Sequence, residues 1–256
     1  MFMEIKKAII LAGGMGTRLG EFTQFSPKPM ITIGKKPILS HLLDIYISYG
    51  INQFFIALGY KSEVIENYFL NNFDPRIIIN KKYYKKIIIN NNIELNLVFT
   101  GKNSMTGGRI LKLKKYINDE NFFMTYGDGL ADINLTKLEK FHLKNKKIVT
   151  VTAVHPPARF GELKLNKRHE VVDFKEKPQV NLGWINGGFF VLNKKIFKYL
   201  KNYKTVFEQD PLETLSVKKS MIAFKHKNFW QCVDTRRDRD SLEDILNRKG
   251  NFWLKK

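Results

Sequence analysis

The feature that most restricts how this chain can fold is the alternation running through residues 7 to 154. Short apolar runs are separated by single stretches whose apolar residues recur at helical spacing. Lys7–Leu11 (KAIIL), Phe54–Leu58, Leu95–Thr100, Phe122–Tyr126 and Val149–Val154 read as buried strands. Ile38–Tyr49 carries apolar residues at 38, 39, 42, 43, 45, 46 and 49, a helical stripe opened by Pro37 and closed by Gly50. Val64–Leu70, Arg109–Ile117 and Leu135–Lys144 read as further helices. Strands that alternate with single helices build a largely parallel sheet covered by helices, because a parallel return needs a crossover. The expected fold class is therefore α/β, with a mixed, mostly parallel central sheet.

After Pro156-Pro157 the pattern changes. Val171–Phe174, Gly188–Leu192, Met221–Lys225 and Phe229–Val233 read as strands with short connections, and Thr205–Lys218 and Arg237–Asn247 as helices. No linker separates the halves, so residues 1–256 are expected to form one domain sharing a sheet, divided into 1–154 and 155–256. The stretch Asp74–Asn92 repeats IIIN at Ile77–Asn80 and Ile87–Asn90 around Lys81–Lys86. Two short strands, an ordered flap and an aggregation-prone segment gated by lysines all fit it.

Composition removes several classes of function. The 256 residues are 43% hydrophobic, enough for a full core. No apolar run approaches the roughly 18 to 20 residues of a membrane span, and Ala8–Ala12 is too short for a signal-peptide core. A single cysteine, Cys232, excludes an internal disulfide framework. A cytoplasmic protein with no membrane partner is the expectation. Lys+Arg outnumber Asp+Glu by 44 to 24, giving +20. The excess is spread along the chain as lysine, without a localised stripe or stacking module, so no nucleic-acid partner is expected. Lys81-Lys82, Lys85-Lys86 and Lys144–Lys147 read as solvated faces, although a positive field would help recruit a small polyanion.

The chemistry concentrates just after the first strand, in LAGGMGTRL (Leu11–Leu19). Gly13, Gly14 and Gly16 let backbone N–H groups approach an anion, and Arg18 adds a forked cation suited to phosphate oxygens. Two commoner phosphate loops fail. The G-x-G-x-x-G pattern starting at Gly14 meets Leu19 in place of its third glycine, and no Asp or Glu occurs from Phe22 to Leu43. No Gly-Lys-Ser/Thr follows these glycines either.

With Ser26-Pro27-Lys28-Pro29-Met30 behind it, this loop resembles the signature of the sugar-1-phosphate nucleotidylyltransferases. Matching segments follow in order: SMTGGR (Ser104–Arg109), TYGDG (Thr125–Gly129), PPARFG (Pro156–Gly161), EKP (Glu176–Pro178), WINGGFFVLN (Trp184–Asn193) and FWQCVDTRRD (Phe229–Asp238). Within that family, SMTGGR, INGGFFVL and FWQ-xx-DT are most similar to the glucose-1-phosphate cytidylyltransferases. The resemblance covers essentially the whole chain. It implies a Rossmann-like nucleotide-diphospho-sugar transferase fold with a smaller β-rich sugar-binding part.

The implied reaction joins CTP and α-D-glucose 1-phosphate into CDP-glucose with release of pyrophosphate. Both reactants are polyanions, so cations and a Mg²⁺ ion must offset their repulsion. The attacking phosphate oxygen is already ionised near neutral pH, so no general base is needed. The resemblance implies nucleotide contacts from Leu11, Ala12, Gly13, Gly14, Met15, Gly16, Thr17, Arg18, Lys28, Ser104, Arg109 and Gly127. Arg18, Lys28 and Lys177 become the catalytic cations, and Pro27 and Pro29 stiffen the backbone that presents Lys28. Gly161, Glu176, Lys177, Asn186, Gly187 and Gly188 are implied for the sugar phosphate. Asp128 and Asp234 are implied as metal ligands, since Mg²⁺ takes one or two carboxylates and completes its shell with phosphate and water. A homo-oligomer serving dideoxysugar or surface-polysaccharide synthesis is implied as well.

The remaining candidates read as structural. His41 lies on an apolar helical stripe, His142, His155, His169 and His226 lack metal spacing, and Cys232 reads as a buried small apolar residue. Two alternatives stay open: the same chemistry with UTP, dTTP or another sugar phosphate, and a non-catalytic relative that only binds a sugar nucleotide.

Overall fold

The computed structural model describes residues 3–16, 23–90, 92–156, 162–175 and 183–254. In chain order the elements are β1 (Lys7–Leu11), β2 (Thr32–Ile33), β3 (Lys36–Pro37), α1 (Ile38–Ser48), β4 (Gln53–Leu58), α2 (Ser62–Asn72), β5 (Arg76–Lys81), β6 (Tyr84–Ile89) and β7 (Ile93–Phe99). Then come α3 (Thr106–Leu113), β8 (Asn121–Tyr126), β9 (Gly129–Ala131), α4 (Leu135–Asn145), β10 (Val149–Val154), β11 (Glu162–Leu165) and β12 (Val171–Lys175). The chain closes with β13 (Ile185–Asn193), α5 (Asp210–Val217), β14 (Met221–Lys225), β15 (Trp230–Cys232) and α6 (Arg236–Lys249).

Nine strands form the central sheet in the order β14-β10-β13-β8-β1-β4-β7-β6-β5. Its middle is parallel, β8 with β1, β1 with β4 and β4 with β7. The antiparallel strand β13 joins β8 to β10, and β14 extends β10 in parallel. The sheet is thus mixed, and its parallel character is concentrated at the centre. Strands from the second half of the chain complete the same sheet.

Side chains alternate across this sheet and divide the core in two. Ala8, Ile10, Phe54, Ile56, Phe123 and Phe189 pack with Leu39, Leu42 and Tyr46 of α1. Their neighbours Ile9, Leu11, Phe55, Ala57, Phe122, Met124 and Phe190 face the opposite way, against Ile110 and Leu113 of α3. Burial on both faces explains why these runs are continuously apolar. Each large side chain so buried contributes about 1.5 to 3 kcal/mol, and Phe54, Phe122, Phe123 and Phe190 are fully enclosed.

Among the helices, two expected spans move furthest. The helix expected from Arg109 starts at Thr106 and finishes in a short 3-10 turn, Lys114–Tyr116. The helix expected over Thr205–Lys218 shrinks to Asp210–Val217, with Pro211 in its first turn, where its missing N–H costs nothing. Residues 203–208 instead lie as a strap across the start of α3. Met105 N–H donates to the Tyr203 carbonyl at 2.9 Å, and Gly108 N–H to that of Thr205 at 3.1 Å.

Within the stretch Asp74–Asn92, Arg76–Lys81 and Tyr84–Ile89 form the hairpin β5–β6, added antiparallel outside β7. Ile87 and Ile89 are buried, whereas Ile77 and Ile78 on the edge strand are about half exposed. Lys85 pairs with Glu66, and Lys86 with Glu94 at 2.8 Å.

Candidate active site

Parallel strands end on one edge of a sheet, so the segments after Leu11, Leu58, Phe99 and Tyr126 gather together, as ligand sites in open α/β sheets do. The segments after Leu11, Phe99 and Tyr126 enclose a cavity of about 610 Å³. Leu11, Gly13, Gly14, Met15, Gly16, Lys28, Ser104, Arg109, Gly127, Asp128 and Asp234 line it, with Tyr126 and Thr106. Most expected nucleotide contacts therefore meet around one space. Ala12 does not line it: its N–H donates to the Ala57 carbonyl at 3.1 Å, and its side chain is buried in the core. The extended sheet register turns it inward. Thr17, Arg18, Gly161, Glu176 and Lys177 lie outside the described residues.

Lys28 sits in a 3-10 turn, Lys28–Met30, entered from Pro27 at φ −69°. Its neighbour Pro29 packs on Gly127, where a Cβ would fall 2.8 Å from Pro29 Cγ and 2.9 Å from the Leu11 carbonyl oxygen. Glycine at 127 thus lets the Pro-Lys-Pro turn close on the end of β8. Lys28 Nζ then donates to Asp128 Oδ2 and to Asp234 Oδ1, each at 2.6 Å. Burial works against this ammonium, but the two carboxylates outweigh it and hold its pKa above the usual lysine value. The expected phosphate clamp is engaged by carboxylates, because these are the anions closest to it.

Asp234 precedes the α6 cap, where the Thr235 hydroxyl accepts from Asp238 N–H and the Asp238 carboxylate accepts from Thr235 N–H. That capping box, with Val233 N–H donating to the Asp128 carbonyl at 2.9 Å, fixes the backbone beside both aspartates.

Arg109 is 4% exposed and reaches beneath the glycine loop. Its Nη1 donates to the Leu58 carbonyl (3.2 Å), Thr100 Oγ1 (2.8 Å) and the Gly101 carbonyl (2.9 Å). Its Nη2 donates to the carbonyls of Gly13 (2.7 Å) and Lys102 (3.3 Å). With no carboxylate beside it among the described residues, burial pulls its pKa down to about 10, which still leaves it charged at neutral pH. A Cβ on Gly13 or Gly59 would lie 2.2 or 2.4 Å from Nη1, so those glycines make room for the guanidinium. Arg109 knits three loops together. The Ser104 hydroxyl is likewise turned to the Thr100 carbonyl at 2.5 Å, and Ser104 lines the cavity.

A second cleft of about 310 Å³ adjoins the first and shares Tyr126, Asp128 and Asp234 with it. Asn186, Gly187, Gly188, Trp230 and Cys232 line it, so three expected sugar-phosphate residues meet there. A Cβ on Gly187 would lie 2.7 Å from Val154 Cγ1. The Gly187 carbonyl accepts from Trp230 Nε1 at 2.7 Å. Cys232 differs from expectation: it is half-buried on the cleft wall, with Sγ 3.7 Å from Asp234 Oδ2. Burial, aided by Asp234 and Asp128, pushes its thiol up to about 12, so it stays neutral. Sequence reasoning missed Tyr126, Thr106 and Trp230 as wall residues, although each lies within a quoted segment.

The model of the nucleotidyl transferase family matches residues 7–238. The glucose-1-phosphate cytidylyltransferase of Salmonella typhimurium is 42% identical over 253 residues, 96% of this chain and 98% of that protein. The chain belongs to the nucleotidyl transferase family. A probable glucose-1-phosphate cytidylyltransferase of Bacillus subtilis is 39% identical to this nucleotidyl transferase over the same shares of both chains. Among solved structures, HddC from Yersinia pseudotuberculosis superposes with a TM-score of 0.70 at 24% identity, covering 94% of this chain and all of that one. A UDP-glucose pyrophosphorylase bound to UDP-glucose gives 0.67 at 20%, over 96% and 99%. These likenesses establish the fold as that of the nucleotide-diphospho-sugar transferases.

Among the described residues of this nucleotidyl transferase, no three His, Cys, Asp or Glu side chains gather as a ready metal cage. Asp128 and Asp234 nevertheless already converge on one cation, the Lys28 ammonium, and their hard oxygen donors fit a divalent ion of the Mg²⁺ type. No helix among the described residues is long and apolar enough to cross a membrane.

Proposed function

We propose that this chain transfers the cytidylyl group of CTP to α-D-glucose 1-phosphate, forming CDP-glucose and pyrophosphate. The observation that carries the reading is the convergence of Lys28, on the wall of the larger cavity, with Asp128 and Asp234, which line both cavities. CTP occupies the larger cavity with its phosphates towards the Gly13–Gly16 loop, and glucose 1-phosphate takes the smaller cleft. A phosphate oxygen of the sugar attacks the α-phosphorus of CTP, the α–β phosphoanhydride bond breaks, and its electrons leave on pyrophosphate. When bound, Mg²⁺ at Asp128 and Asp234 supplies charge neutralisation for the departing phosphates.

Lys28 and Arg18 bind the nucleotide phosphates, Lys177 and Glu176 the sugar phosphate, and Gly161 borders the hexose. Asn186, Gly187 and Gly188 orient the hexose from the cleft wall. The 42% identity to a protein named for this reaction supports CTP and glucose 1-phosphate over the UTP and dTTP alternatives. We also read residues 1–256 as one domain, the working unit as a homo-oligomer and its place as the cytoplasm. The half-exposed Ile77 and Ile78 on an edge strand support self-association.

Pyrophosphate release with each NTP plus glucose 1-phosphate tests the reading. CTP should give the highest kcat/KM, with no release when Mg²⁺ is chelated. Equal or better turnover with UTP or dTTP would overturn the base assignment, and substrate binding without turnover would favour a non-catalytic role.

A further inference from the structure

Resting on that reading, we infer that Glu208 is a positioning residue that orients the sugar-binding cleft through Tyr126, from a segment outside every quoted motif. The Glu208 carboxylate faces two hydroxyls. Oε1 accepts from Tyr126 Oη at 2.5 Å, and Oε2 accepts from Thr106 Oγ1 at 2.6 Å. Thr106 Oγ1 in turn accepts from Phe207 N–H at 2.9 Å, which ties the acid to the first residue of α3. The strap carrying Glu208 can lie this close because two glycines follow Thr106 in the first turn of α3. A Cβ on Gly107 would meet Thr205 at 2.8 Å, and one on Gly108 would meet the Tyr203 carbonyl oxygen at 2.2 Å.

Tyr126 separates the nucleotide cavity from the sugar cleft and borders both. Its ring lies on Gly188, whose φ of +79° and missing Cβ leave the room: an added Cβ would stand 2.8 Å from Tyr126 Cδ2. The ring edge packs on Phe190.

The direction of the hydrogen-bond chain follows from the acid. A carboxylate only accepts, so Tyr126 must spend its one proton on Glu208 and can only accept from Asn186. Asn186 Nδ2 donates to Tyr126 Oη at 3.3 Å, while its Oδ1 accepts from Gly188 N–H at 2.9 Å. This fixes the Asn186 amide and leaves its second N–H for an acceptor in the cleft. A glutamine at 208 would offer one acceptor where two hydroxyl protons need one, stranding a donor at either Tyr126 or Thr106.

The test is steady-state kinetics on wild type, Tyr126→Phe, Glu208→Gln and the double variant, with melting temperatures. Tyr126→Phe should raise KM for glucose 1-phosphate about tenfold and leave KM for CTP within about twofold, on the scale of one lost hydrogen bond to a charged group. Glu208→Gln should move the same constant, and the double variant should do no worse than the worse single one, since both cut one chain. Unchanged KM for glucose 1-phosphate in a folded Tyr126→Phe, an equal rise for CTP, or multiplicative effects in the double variant would overturn the inference. A wild type inert towards CTP and glucose 1-phosphate would instead overturn the functional reading, and the inference with it.

Discussion

Two cations flank the glycine loop, Arg109 buried and Lys28 half-buried, and their surroundings are opposite. Below it, Arg109 meets four carbonyls and a hydroxyl. On the cavity wall, Lys28 meets two carboxylates. Burial disfavours the charge at both, yet the pKa falls at Arg109 and rises at Lys28. Neutral acceptors fix a cation's position without matching its charge, whereas paired carboxylates match the charge of any cation placed between them. The first arrangement suits a permanent strut. The second suits a place where cations exchange, as the proposed metal site requires.

The sharpest way to break this contrast is Asp128→Asn. It should lower kcat by about 10² to 10³ while the melting temperature moves by only a few degrees. Retained Mg²⁺-dependent turnover would remove the carboxylate's role. Arg109→Met should act in the reverse sense, on the fold first. It strands acceptors in three loops and should cost about 2 to 4 kcal/mol in urea unfolding. Unaltered stability together with a selective rise in KM for CTP would recast Arg109 as a ligand contact.

A third buried group serves as control. His142 is held by the Thr150 hydroxyl and the Asn121 amide oxygen, with no charge beside it, and burial pulls its pKa down to about 4. The unfolded chain protonates near 6.5 and the folded one only near 4. Stability should therefore fall as pH drops through that window, by up to about 3 kcal/mol, and then level off. Urea midpoints across pH 7 to 4 measure it, and His142→Gln should flatten that part of the slope. The smallest expected effect is at Lys28→Met. Freed of their ammonium, Asp128 and Asp234 should bind Mg²⁺ several-fold more tightly in a thermal-shift titration, even as KM for CTP rises. Weaker Mg²⁺ binding in that variant would deny that the two cations compete.

The elements were legible where local pattern suffices. Val149–Val154 matches its strand residue for residue, because burial on both faces of a sheet leaves a continuous apolar signature; the edge strand Met221–Lys225 matches as well, although its residues are half-buried or exposed. The start of α3 was not legible. Gly107 and Gly108 read as poor helix formers or loop residues, but a strap from residues 203–205 needs the space their Cβ atoms would fill. Glu208 gave no signal for the same reason: its partners, Thr106 and Tyr126, are far away in sequence.

The amino-acid order by itself determined the α/β layering, the glycine loop after the first strand and the residue types a phosphoryl-transfer site needs, all through periodicity and short motifs. Tertiary structure alone decided the pairing of those residues. It set Lys28 between Asp128 and Asp234, sank Arg109 beneath the loop and placed Tyr126 between two cavities. Such pairings join segments that only a closed sheet brings within a few ångströms, and no local propensity encodes a distance between them.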